Sequence, residues 1–132
     1  MSMKTKVLLV DDNLAVPNIA RLFLLKAGLD VEVAGDGDAA VQMLADQAVN
    51  VLITDMIMPG SLSGVELIVS TREHYPDGKC GLISGMVDGL IDKLQGNLKD
   101  LKILPKTFSK ADIADFVRQL GERFLWSIMC LI

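Results

Sequence analysis

Short apolar runs that end on polar residues, each followed by a stretch with helical spacing, recur five times along this chain. Residues 6–10 (KVLLV) do not alternate with polar positions, and neither do 51–54 (VLIT) within a run that opens at 49. A strand of that kind is buried on both faces, as in a parallel sheet covered by helices on each side. Residues 79–83 (KCGLI) and 101–104 (LKIL) read as further strands. Val31 and Val33 alternate with Asp30, Glu32 and Ala34, which predicts a half-exposed strand.

The segments between them carry helix signals. Asn13 is a plausible N-cap with Pro17 close behind, and Ile19, Leu22, Phe23 and Ala27 keep helical spacing up to Gly28. Asp36-Gly37 opens a second helix bearing Ala40, Val41, Leu44 and Ala48. Val65, Leu67, Ile68 and Thr71 line a third that stops before Pro76. Val87, Leu90, Ile91, Leu94 and Leu98 predict a fourth. Gly89 and Gly96 each cost it about 1 kcal/mol relative to Ala, so it is expected to be the least stable. Ser109 with Asp112 starts the last helix in the manner of a capping box, and Ile113, Phe116, Val117 and Leu120 form its buried stripe. Five β-then-α units in one domain's length predict an α/β fold, a doubly wound five-stranded parallel sheet with five helices.

Composition removes several functional classes. The net charge is −4, with nine Lys and four Arg spread thinly, so there is no basic stripe for nucleic acid. His74 is the single histidine, and Cys80 and Cys130 form no metal-ligand spacing and no disulfide framework. Cys80 reads as core packing and His74 as an exposed helix end. No signal peptide and no membrane-spanning run is present, and a reduced, cytoplasmic setting is expected.

In an open parallel sheet all strands deliver their C-terminal ends to one edge, where ligands bind at a topological switch. Asp11-Asp12, Asp55, Ser84 and Lys106 all stand at or just past strand ends and should converge there. Three carboxylates in one place repel one another unless a cation joins them, and a hard divalent ion such as Mg2+ suits them. A lysine and a hydroxyl beside them fit the spread charge of a phosphoryl group, toward which a carboxylate is a competent nucleophile.

The motifs VLLVDD (7–12), VLITDMIMPG (51–60), LISG (82–85) and LPKTF (104–108) resemble the receiver domain of bacterial two-component response regulators, over about residues 4–121. The resemblance implies the flavodoxin-like strand order 2-1-3-4-5. It implies that Asp55 accepts a phosphoryl group from a histidine kinase or phosphotransfer protein. Asp12 would bind Mg2+ directly, Asp11 mostly through water, and the backbone carbonyl of Met56 would complete the protein ligands. Ser84 and Lys106 would hold phosphoryl oxygens, while Ile57 and Met86 would tune the lifetime of the acyl phosphate, here toward slow hydrolysis. The expected consequence is a population shift at the face formed by the helix over 87–98, the fifth strand and the last helix.

Three departures from the family pattern stand out. Thr107 replaces the usual cis-proline after the lysine, Ile103 takes the place of the switch aromatic, and the loop over 59–64 is a residue longer. Thr107 and Ile103 motivate an alternative, a receiver-like interaction module that is not phosphorylated. An aspartate-nucleophile phosphatase is disfavoured. Such enzymes carry a second acid two residues after the nucleophile, whereas Ile57 stands two after Asp55 and Asn13 two after Asp11. No turnover of external substrates is expected. Residues 122–132 (ERFLWSIMCLI) form an apolar tail beyond the domain of residues 1–121. The tail reads as a homodimer contact continuing the last helix, as the start of a downstream region, or as a strand paired elsewhere. The first of these is preferred.

Overall fold

The computed structural model describes residues 5–13, 15–56, 62–75, 79–84, 101–105 and 108–120. Strands β1 (Lys6–Val10), β2 (Asp30–Ala34), β3 (Val51–Asp55), β4 (Lys79–Ser84) and β5 (Lys102–Pro105) form one sheet in the order β2-β1-β3-β4-β5. All four pairings are parallel. The described helices are α1 (Ala15–Lys26), α2 (Gly37–Asp46), α3 (Gly64–His74) and α4 (Lys110–Leu120). The helix expected over 87–98 lies outside the described residues.

The absence of alternation in β1 and β3 has a direct cause. Val7, Leu9, Val51 and Ile53 point to one face, against Ala20 and Leu24 of α1 and Ile113, Phe116, Val117 and Leu120 of α4. Leu8, Val10 and Leu52 point to the other, where Ala40 and Leu44 of α2 and Leu67 and Ile68 of α3 cover them. Each fully buried side chain of this size stabilises the fold by roughly 1.5–3 kcal/mol. On the edge, β2 buries Val31 and Ala34 on opposite faces and leaves Asp30, Glu32 and Val33 half-buried. It has a neighbour on one side only, as β5 does at the other edge, and its interior Glu32 stays partly open to water.

Local chemistry sets the helix ends. Asp36, with extended backbone, accepts from the Ala39 N–H at 2.7 Å and caps α2. Ser109 and Asp112 make the expected reciprocal bonds at 2.9 and 3.1 Å before α4. Gly28 takes the left-handed conformation, φ 89°, just after α1.

One helix buries a different pair of residues from those the spacing suggested, and another keeps only part of its expected stripe. In α1 the sheet is met by Ala20 and Leu24, while Ile19 and Leu22 are exposed (51% and 58%). The helix carries two apolar stripes, and the one containing the small Ala20 allows the closer approach. In α2 Ala40 and Leu44 are buried toward the sheet, with Ala39 and Met43 packed beside them, while Val41 is exposed and the helix ends at Asp46, before Ala48.

Candidate metal and phosphoryl site

The register aligns the strand ends. Val10 pairs with Thr54, Asp55 with Ile83, and Ser84 with Pro105, so the residues that follow β1 and those that close β3 and β4 share one edge. Asp11 and Asp12 come from β1 and Asp55 from the central strand β3. One carboxylate oxygen of each lies within 4.8 Å of the others. Asp11 and Asp55 are buried (3% and 7% exposed), and Asp12 faces solvent.

Backbone amides hold two of these carboxylates in place. The Asn13 N–H donates to Asp11 Oδ1 at 2.9 Å, and the Met56 N–H donates to Asp55 Oδ1 at 2.8 Å. The Asp11 N–H in turn donates to the Ala34 carbonyl at 3.1 Å, which ties the acidic turn to the end of β2. Two ionised carboxylates at such a separation repel by about 3 kcal/mol at an effective dielectric near 20. A divalent cation turns that repulsion into attraction, and an all-oxygen, acid-rich donor set fits Mg2+. The residues present therefore suit such an ion.

The Met56 carbonyl accepts from the Gly64 N–H at 2.9 Å. A carbonyl oxygen has two lone pairs, so this bond is compatible with ligation through the other. Ser84 ends β4 one residue past the Asp55–Ile83 pair. Ile103 is half-buried in β5, on the side of the sheet that α2 and α3 cover. Lys106, Ile57, Met86 and Thr107, like residues 59–61 of the loop over 59–64, lie outside the described residues.

Sequence reading passed over Gly64. The signal was available, since Ser63 and Glu66 form a capping box, with Ser63 Oγ accepting from Glu66 N–H at 3.2 Å and Glu66 Oε1 from Ser63 N–H at 3.1 Å. A serine-x-x-glutamate spelling places a helix start on the glycine.

The chain matches the family described as the response regulator receiver domain over residues 7–118. It is a response regulator receiver domain. This receiver domain is 29% identical to Protein PilG of Pseudomonas aeruginosa over 116 residues, which cover 86% of this chain and 84% of PilG. It is also 29% identical to the response regulator receiver protein CpdR of Brucella abortus over 119 residues, 87% of this chain and 95% of CpdR. Among solved structures, the response regulator TrrA of Thermotoga maritima, in complex with Mg2+-BeF, superimposes with a TM-score of 0.78 at 24% identity. The match covers 89% of this chain and 99% of TrrA, a likeness of fold. Receiver domains are signalling modules, and no described helix is long and apolar enough to cross a membrane.

Proposed function

We propose that this receiver domain takes a phosphoryl group on Asp55 in a two-component phosphorelay, with Mg2+ as its cofactor. The observation that carries the reading is the meeting of Asp11, Asp12 and Asp55 at the C-terminal edge, with Asp55 closing the central strand. The donor is a phosphohistidine of a histidine kinase or phosphotransfer protein in the cytoplasm. An Asp55 carboxylate oxygen attacks phosphorus, an acyl phosphate P–O bond forms, the P–N bond breaks, and the histidine nitrogen keeps the electron pair and is protonated.

Asp11, Asp12, Asp55 and the Met56 carbonyl would hold the ion, whose charge offsets that of the carboxylates and of the incoming phosphoryl oxygens. The Met56 N–H keeps Asp55 Oδ1 in place. Ser84 and Lys106 are assigned to the phosphoryl oxygens, Ile57 and Met86 to slowing hydrolysis, and Ile103 to the switch position. With Ile57 where a phosphatase has its second acid, the domain turns over no external substrate. Its output is a protein-interaction face. A homodimer through the last helix and the tail 122–132 would draw its apolar contact from the tail, because α4 exposes Asp112, Asp115, Arg118 and Gln119.

Beryllofluoride stands in for the phosphoryl group, and TrrA was solved with it and Mg2+. Titration of this chain with Mg2+ and beryllofluoride, followed by the amide NMR signals of Asp55 and Met56, should show one saturable site. The same chain incubated with acetyl phosphate and Mg2+ should gain the mass of one phosphoryl group. Failure of both leaves the receiver-like interaction module that is not phosphorylated.

A further inference from the structure

We infer that Gly64 is a positioning residue for the metal-binding edge, one that sets the Asp55–Met56 peptide and the direction of the Met56 carbonyl; this rests on the function proposed above. A Cβ at Gly64 would lie 1.8 Å from the Asp55 carbonyl oxygen, 2.8 Å from its carbon and 2.9 Å from Met56 Cα. All three are backbone atoms, so no change of rotamer relieves the contact. The first residue of α3 is thus pressed against the acceptor residue's own main chain. From that position the Gly64 N–H donates to the Met56 carbonyl at 2.9 Å, the oxygen assigned to the metal.

Helix α3 cannot back away cheaply. Leu67 and Ile68 are fully buried in the core, and the Ser63–Glu66 capping box closes the first turn. Any side chain at Gly64 therefore moves the Asp55–Met56 peptide instead. That peptide contains the N–H that holds Asp55 Oδ1 at 2.8 Å. One small residue on a neighbouring helix consequently controls two oxygens of the site without itself supplying a ligand atom. Groups that orient a metal ligand commonly change affinity by about 10–100-fold when lost.

Gly81 supplies the control. A Cβ there would also be too close, at 2.7 Å, but to the side-chain ends of Leu120 and Phe116, on the α4 face of the sheet. Mg2+ titration and thermal melting are compared for the unaltered chain, Gly64→Ala, Gly81→Ala and Ser63→Ala. Both glycine variants should melt earlier. Gly81→Ala should bind Mg2+ within about twofold of the unaltered chain, as a change remote from the site does. Gly64→Ala should bind it about tenfold more weakly or worse at a temperature where both are folded. Ser63→Ala loosens the start of α3 without adding a clash and should weaken Mg2+ binding by a smaller factor. If Gly64→Ala does not fold, Ser63→Ala decides: weaker Mg2+ binding supports the inference and unchanged binding overturns it. Equal weakening in the two glycine variants, or unaltered binding by Gly64→Ala, overturns it as well. An unaltered chain that binds no Mg2+ overturns the proposed site and this inference together, a result distinct from the others.

Discussion

The two edges of the sheet use polar residues in opposite ways. At the N-terminal edge they satisfy one another. The Lys6 N–H donates to Asn50 Oδ1 at 2.8 Å, the Asn50 N–H to the Lys6 carbonyl at 3.0 Å, and the Lys79 N–H to the Asn50 carbonyl at 3.0 Å. Asn50 thus ties the starts of three strands. The Lys6 ammonium donates to Gln47 Oε1 at 2.6 Å and sits 3.6 Å from Asp30. At the C-terminal edge three groups of the same charge are held together by the ends of β1 and β3. The first arrangement supports the fold, while the second gathers like charges into a cluster that could hold a cation.

The contrast breaks first at Asp55. Asp55→Asn should abolish phosphoryl uptake from acetyl phosphate, read by intact mass, yet in metal-free buffer it should melt no earlier than the unaltered chain, because a like charge is removed. Asp12→Ala comes next. Mg2+ affinity, read by calorimetry, should fall by roughly tenfold or more, again with no loss of metal-free melting temperature. The opposite signature belongs to the other edge. Asn50→Ala leaves the Lys6 N–H without its side-chain acceptor and should cost about 1–3 kcal/mol in urea unfolding, with Mg2+ affinity unchanged.

The smallest effect concerns Cys80, the second residue of β4 and so close to the N-terminal edge. Burial pushes its thiol up from 9.0 to about 11, against a smaller opposing pull from the Arg72 charge. The folded state holds the thiol proton more tightly than the unfolded one. Its contribution to stability is therefore complete below pH 9 and is lost as pH rises toward about 11. A thiol reagent at neutral pH should label Cys80 only after denaturant is added, which is best read in a Cys130→Ser background.

Strands and acids were legible in the residues for the same reason. An apolar run covered from both sides cannot alternate, so β1 and β3 announce themselves, and each ends where the apolar run meets its aspartate. Strand order follows from the family resemblance and agrees with the structure. The burial of α1 was not legible in this way. Ile19 and Leu22 keep helical spacing as well as Ala20 and Leu24 do, and which pair meets the sheet depends on the closeness that an alanine permits. Gly64 resembled an ordinary loop glycine because the atoms that crowd it come from Asp55 and Met56, nine and eight positions earlier in the chain.

The sequence by itself determined the element types, the parallel class and the identity of the acids, since these depend on periodicity and residue chemistry within a few positions. Only the tertiary structure decided the separation of the three carboxylates, the amides that orient them, the face that each helix buries and the seating of α3 on the end of β3. Those are set by close packing between segments distant in sequence, where a few tenths of an ångström separate contact from clash.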